Sequence, residues 1–282
     1  MPGGPSAGGR GRDNLLLHAL VPVAQHLENA RLKAELELVE LELHEVVHEA
    51  GAPVTDVYFP QSAVFGLLSV VPGAPPTEVM PVGSEGVVGL PAVLGDGISP
   101  HRVLCQVPGQ AVRLPVGGLR EQIDASEPVR RLLGRYNQMT IVLLTARVVC
   151  HQRHTAEQRC ADWLLRRSDQ IGGGQFPVTQ RFLASMLGLR RTTVSAVATR
   201  LQDLQLIRYG YGRVTVTDHP GLERLSCSCY GLFRRQVDEL TAATLPHTGP
   251  GLNGPSTTVG PGTPQGVRAV PGDPDGRPVQ LR

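Results

Sequence analysis

The sequence predicts an α+β chain: a β-rich N-terminal half, one long helix, and a C-terminal helix-turn-helix followed by a wing. Three observations predict it. Short apolar runs punctuated by Gly and Pro fill residues 32 to 117. From Ser126 to His154 apolar residues recur at close to heptad spacing. Gln180 to Leu201, QRFLASMLGLRRTTVSAVATRL, then places Ala184, Gly188, Val194 and Val197 where two crossing helices need them. Ala184 is small enough for close approach, Gly188 can take the positive φ that reverses the chain, and the two valines plug the crossing.

Composition narrows the field. A chain of 282 residues can hold two domains. No run approaches the ~18 apolar residues of a membrane span. The start, MPGGPSAGGRGRDN, lacks an apolar h-region, so secretion is not expected and the cytoplasm is the expected location. Cys105, Cys150, Cys160, Cys227 and Cys229 suggest no disulfide framework. The net charge of +2 says nothing about partners. Its distribution does: Pro177 to Arg213 holds six arginines (181, 190, 191, 200, 208, 213) against one acid, Asp203. That local excess fits a phosphate-contacting face.

Taken in order, residues 1–12 are Gly, Pro, Ser and Arg and are expected to be disordered. NLLLHALVPVAQHLENAR reads as one or two short helices. Strands are expected at Val57–Phe59, Ala63–Val71, Glu78–Val82, Val103–Val107 and Ala111–Val116, with turns at GAP, PGAPP, GSEG, GDG and PGQ; this spacing suggests a sandwich or barrel. LKAELELVELELHEVVHEAG alternates like a strand but is built from helix formers. The long helix carries Val129, Leu132, Leu133, Tyr136, Met139, Leu143, Ala146 and Cys150 on one stripe. Its length, about 40 Å, and its narrow stripe favour self-pairing in a dimer through Val129, Leu132, Tyr136, Met139, Leu143, Ala146 and Cys150 over a core helix. A helix at Ala156–Ile171 and a Gly-Gly-Gly break follow. Thr179 is the expected N-cap of the helix-turn-helix. LIRYGYGRVTVTD reads as a hairpin around Gly210-Tyr211-Gly212, and a last helix is expected near Pro220–Leu240. The Gly/Pro-dense end is expected to be disordered.

In such units the second helix enters the DNA major groove. Arg191, at its start, could pair bidentately with guanine, for about 1–3 kcal/mol of discrimination. Arg190 could do the same or hold a phosphate. With Val194, Val197, Leu201 and Leu204 inward, the open face is Thr192, Ser195, Ala196, Thr199 and Arg200. Thr179, Gln180 and Arg213 are placed for backbone contacts, which position without specifying.

A rival sits at His44-Glu45-Val46-Val47-His48, an HExxH match that on a helix would bind zinc with Glu45 as base. A third ligand three residues after Gly51 would be Val54, and Gly51 and Pro53 end the segment. The alternative is alternating polar residues on a strand pair. Cys227-Ser228-Cys229 is too short and isolated for a zinc site, so no metal is expected there; the alternative for the pair is a redox thiol.

The order of parts resembles the Crp/Fnr family of bacterial transcription regulators over roughly residues 13–240. NLLLHALVP, VYFPQSAVFGLL, VGSEGVVGLPAVLG, HRVLCQVPGQAVRLP and the helix-turn-helix carry the resemblance. It implies an N-terminal double-stranded β-roll of cyclic-nucleotide-binding type (13–120), a dimerisation helix (121–154), a winged helix-turn-helix (155–240) and a disordered tail (241–282). It implies a homodimer on pseudo-palindromic double-stranded DNA, an unknown small-molecule effector, and RNA polymerase as a further candidate partner. Where several members carry glutamate after the base-reading arginine, this chain has Thr192. Gly89, Leu90, Arg102 and Val103 match the effector turn and phosphate positions. Leu90 replaces the ribose-binding glutamate turn and Val103 the hydroxyl, so tight cyclic-AMP binding is not expected. No cysteine precedes Cys105, so the family's N-terminal iron–sulfur sensor is not expected, and no cofactor is assigned; haem on His44, His48 or His101 stays open. The expected function is a DNA-binding regulator rather than an enzyme. The alternatives are a zinc hydrolase through HEVVH and a ligand-binding signalling protein that does not act on DNA.

Overall fold

The structure, a computed structural model, describes residues 14–26 and 30–244. The expectations of disorder for residues 1–12 and for 245–282 lie outside the described residues. Residues 241–244, assigned to the tail from sequence, are the last turn of a helix.

The chain opens with α1 (Leu15–His26) and α2 (Ala30–Glu35). The β-rich half follows: β1 (Glu37–Leu41), β2 (Val46–His48), β3 (Asp56–Pro60), β4 (Val64–Ser69), β5 (Thr77–Val82), α3 (Leu90–Leu94), β6 (Arg102–Val107) and β7 (Gly109–Pro115). All the expected strands form within a few residues of their sequence limits. The ambiguous Leu/Glu segment divides: Leu32–Glu35 belong to α2, and the rest forms β1 and β2, where Leu41 and His48 turn inward while the intervening glutamates stay in solvent. Two antiparallel sheets result, ordered β1-β7-β3 and β2-β6-β4-β5. Register shifts at Val64/Phe65 and Leu67/Leu68 in β4 mark bulges, which bend the strand and let the sheets curl toward each other. Phe59, Phe65, Val57, Met80 and Leu114 fill the space between them.

α4 (Val116–Ala125) ends at Ser126, which caps α5 (Glu127–Arg153) by accepting from Val129 N at 3.5 Å. α6 (Ala156–Gln170) starts on a Thr155/Gln158 capping box. Beyond it lie β8 (Gln175–Pro177), α7 (Gln180–Leu187), α8 (Arg191–Asp203), β9 (Ile207–Gly210), β10 (Arg213–Val216), α9 (His219–Leu225) and α10 (Ser228–Thr244). The single helix expected near Pro220–Leu240 is thus two, broken at Ser226-Cys227. β8 joins the wing in the order β8-β10-β9, a third strand too short to read from sequence.

The stripe on α5 corrects the sequence reading. Val129, Leu132, Tyr136, Met139 and Leu143 are buried within the protomer, in one core with the two sheets and α10, so they cannot face a second copy. Tyr136 donates its hydroxyl to Val87 O at 3.0 Å. Ala146 is half-buried, and Cys150 packs against Cys227 and Cys229. An amphipathic stripe reports that one face needs covering, not what covers it. The opposite face carries Gln138, Ile141, Thr145 and Val148 in solvent, again at heptad spacing; Ile141 and Val148 are 56% and 60% exposed.

A buried polar cluster joins the β-rich half to α6. Glu78 on β5 accepts from Trp163 Nε1 at 3.0 Å, Gln106 Nε2 at 2.6 Å and Arg167 at 3.1 Å, and Arg147 approaches at 3.7 Å. Arg167 also bonds Gln106 and stacks over the Trp163 ring. Gln170 donates to Glu85 at 2.7 Å. The Glu78 carboxylate is balanced by the Arg167 and Arg147 guanidiniums, as burial requires.

Candidate nucleic-acid interface

Local sequence builds the crossing. Thr179 takes an extended conformation and accepts from Phe182 N at 3.1 Å, capping α7. Gly188 ends it at φ 60° and ψ 40°, a left-handed C-cap that a β-branched residue would adopt only under strain. Ala184 and Leu187 on α7 share one core with Val194 and Leu201 on α8, where Ala198 is buried as well. Val197 is only half-buried, and Leu204 caps the helix C-terminus half in solvent rather than facing the core. The wing closes through Tyr211 and Gly212, at φ 51° and 70°. Positive φ at both positions suits a two-residue hairpin turn. Gly212 O accepts from Val178 N at 2.8 Å, tying the wing to the start of α7.

This frame presents Arg190, Arg191, Thr192, Ala196, Thr199 and Arg200 on one exposed surface, with Thr179 and Arg213 beside it. Arg190 is the N-cap of α8 and Arg191 its first residue. Several of the expected contact residues are engaged within the unit. Ser195 is half-buried and donates to Gln180 Oε1 at 2.5 Å, so this pair braces the crossing. Arg200 pairs with Glu157 of α6 at 2.8 Å, and Arg213 donates to Gln175 at 2.9 Å while remaining exposed. Sequence reasoning missed Tyr211, the fully exposed tip of the wing, and did not assign Arg181 or Arg208 a contact. The six arginines are all exposed.

The effector positions lie differently from expectation. Leu90 and Val103 are core residues. Gly89, at φ 95°, packs under His48 and Val57. Arg102 is paired with Glu49 at 3.3 Å. Leu90 and Val103 therefore cannot meet a ligand without unpacking the roll. A separate cavity of about 490 Å³ opens between α1, α6 and α10 and includes Ser84, Glu85, Asp169, Gln170 and His219.

The HEVVH segment is no helix. His44 sits in a turn at φ 68° and its ring lies 5.1 Å from that of Phe182. His48 is buried on β2 and hydrogen-bonded through Nε2 to Asp56 O at 2.9 Å. The two imidazoles share no helical face, which removes the zinc-hydrolase geometry. Burial holds His48 below the ordinary imidazole pKa and pushes the Cys105 and Cys160 thiols up to about 12. Among the described residues, the side chains placed to hold a metal are Cys150, His154, Cys227 and Cys229. The structure thus brings Cys227 and Cys229 beside two partners that the sequence left far away.

Residues 158–225 match the family model of the Crp-like helix-turn-helix domain. No curated protein matches the chain. Among solved structures, FixK2 of Bradyrhizobium japonicum aligns at TM-score 0.58 and 16% identity over 68% of this chain and 98% of its own. A Crp/Fnr-family transcriptional regulator of Thermus thermophilus aligns at 0.56 and 20%, over 67% and 98%. The c-di-GMP-responsive global regulator CLP of Xanthomonas campestris aligns at 0.54 and 16%, over 68% and 98%.

Proposed function

The chain carries a Crp-like helix-turn-helix domain on the fold of the Crp/Fnr regulators, and from that premise we propose that it is a sequence-specific, double-stranded-DNA-binding transcription regulator. The observation that carries the reading is the exposed start of α8. Arg190 and Arg191 stand free on a helix whose inner face is fixed by Val194, Ala198 and Leu201. A rigid base-reading arginine needs this arrangement: its backbone is held by packing while its guanidinium is left to the groove. Thr192, Ala196 and Thr199 line the same face. Thr179, Arg181, Arg208 and Arg213 supply the phosphate contacts, which steer and position.

The protein acts as a homodimer, with the exposed stripe of α5 as the seam: Gln138, Ile141, Thr145 and Val148 repeat at the spacing of two pairing helices. This seam replaces the buried stripe that sequence alone selected. A two-fold dimer sets two recognition helices about 34–36 Å apart and so reads half-sites one helical turn apart. The β-rich half, residues 13–120, serves as the sensory domain, and the reading domain runs from residue 155 to 244. An effector changes DNA affinity only by binding one arrangement of the two reading domains better than another. The cavity beside Glu85, Asp169 and His219 is better placed for that than Gly89, Leu90, Arg102 and Val103. Among the described residues, nothing in the arrangement calls for covalent catalysis. The sign of control and any contact with RNA polymerase depend on the operator's position.

The test is selection of bound duplexes from a random pool by the purified protein at about 0.15 M salt. A two-fold symmetric motif with half-sites about ten base pairs apart supports the reading. Binding that is salt-sensitive, without motif, and equal in Arg191→Ala refutes it.

A further inference from the structure

We propose that Cys150, His154, Cys227 and Cys229 form a binding site for a single zinc ion, tetrahedrally held by three thiolates and one imidazole. The four side chains come from two places 73 residues apart (227 minus 154). Cys150 begins the last turn of α5, and His154, four residues on, caps it. Cys227 and Cys229 straddle Ser228, the first residue of α10. The backbone turns into α10 there, with Tyr230 N donating to Cys227 O at 3.1 Å, and this turn aims both thiols at the end of α5.

The spacing fits one ion. Zinc–sulfur bonds of about 2.3 Å and a zinc–nitrogen bond of about 2.0–2.1 Å put tetrahedral S···S edges near ~3.8 Å and S···N edges near ~3.6 Å. The Cys150 and Cys227 sulfurs lie 3.7 Å apart, and Cys229 Sγ lies 3.7 Å from His154 Nδ1. All four ligand atoms fall within 4.8 Å of one another. A disulfide would bring two sulfurs to about 2.05 Å. An iron–sulfur cluster would interpose several irons and spread the ligands further. Three thiolates, one neutral imidazole and a divalent cation sum to one negative charge. Arg147, on α5 a turn before Cys150, and Arg166, which donates to Cys229 O at 2.9 Å, supply buried positive charge beside it. Asp162 anchors both guanidiniums, at 3.4 and 2.9 Å, so the surroundings hold the ligands as well as balance them. The three sulfurs are buried and the histidine is half-buried, a closed structural site rather than one with an open position for catalysis. Its place gives it a role: zinc would staple the last helix of the chain's described part to the point where α5 hands over to α6.

The test uses the full-length chain purified anaerobically with reductant. Metal analysis is expected to give one zinc per chain. Chelator-treated protein is expected to take up one equivalent of cobalt(II), with the intense visible bands of a tetrahedral, thiolate-rich site, and to lose them on adding one equivalent of zinc. Cys227→Ser and Cys229→Ser should abolish stoichiometric uptake, His154→Cys should keep it with stronger sulfur-to-cobalt absorption, and Cys105→Ala, outside the cluster, should leave it unchanged. Should a variant fail to fold, the cobalt titration of the wild-type chain decides alone. Folded wild-type protein that binds neither zinc nor cobalt overturns the proposal, as does a Cys150–Cys227 disulfide in the anaerobically reduced preparation.

Discussion

Glu78→Gln tests the buried cluster that joins the β-rich half to the reading domain. The carboxylate accepts from three donors on β6 and α6, and Arg147 of α5 approaches it as well. A glutamine in its place offers one oxygen and one NH₂ group. Turned either way, it sets a donor against Trp163 Nε1–H or against the Gln106 and Arg167 donors. Arg167, 1% exposed, also loses the carboxylate that balances its charge. Removing one partner of a buried pair costs about 3–5 kcal/mol. At about 2–4 °C per kcal/mol for a protein of this size, the melting temperature should fall by about 6–20 °C. Circular dichroism melts and urea midpoints read this directly. Limited proteolysis should cut sooner near Ser168–Gly174, where α6 leaves the cluster. Gly66→Ala offers an independent route to the same defect, because a methyl group there would occupy the place of the Gln106 amide. A Glu78→Gln protein melting within about 2 °C of wild type would refute the reasoning, since it would mean that Arg167 finds its partners elsewhere.

Arg191→Ala should weaken binding to the selected operator by about 5- to 150-fold per half-site while leaving weak non-specific binding nearly unchanged, read by gel shift with both probes. Ile141→Asp combined with Val148→Asp should shift the protein from dimer to monomer in sedimentation without a large loss of melting temperature, because both side chains are exposed in the protomer; Leu132→Asp should instead unfold it. His48 is buried neutral, its pKa held below the ordinary 6.5 by desolvation. The unfolded chain therefore takes up the proton first, and the stability His48 lends is fully present above about pH 6.5 and lost as pH falls from there toward the folded value, at up to about 1.4 kcal/mol per pH unit. Urea midpoints between pH 7 and 5 should show this slope flattened in His48→Asn, and an unchanged slope would assign the acid sensitivity to other groups. Gly188→Val should destabilise by about 1–3 kcal/mol, since it forces a β-branched residue into the left-handed region, and a neutral result in thermal melts would show that the turn can relax.

Most of the reading unit was legible in the linear chain because its determinants are local. Thr179 caps, Gly188 reverses and Arg191 opens α8 through contacts that span a few residues, and the alternation of the strands follows from the pleat. The basic cluster was visible as a count. The hidden parts depend on what distant segments do. Periodicity marked Val129 to Leu143 as one apolar face of α5, yet a face covered by the protomer's own sheets and one covered by a second copy have the same pattern. Ser195 belonged to the open face on a helical wheel, but Gln180 reaches it from the neighbouring helix. Leu90 and Val103 fell at effector positions along the chain, and the curl of the two sheets turned them into core.

The sequence by itself determined the order of parts, the helix-turn-helix and the arginines it carries, because propensity, capping and charge act over short separations. Tertiary structure alone decided which stripe of α5 remains free, that Glu78 meets Arg167 and Trp163, and that Cys150 and His154 meet Cys227 and Cys229. Those encounters join residues about 70–90 positions apart, and at such separations only the packing of the folded chain determines which side chains touch.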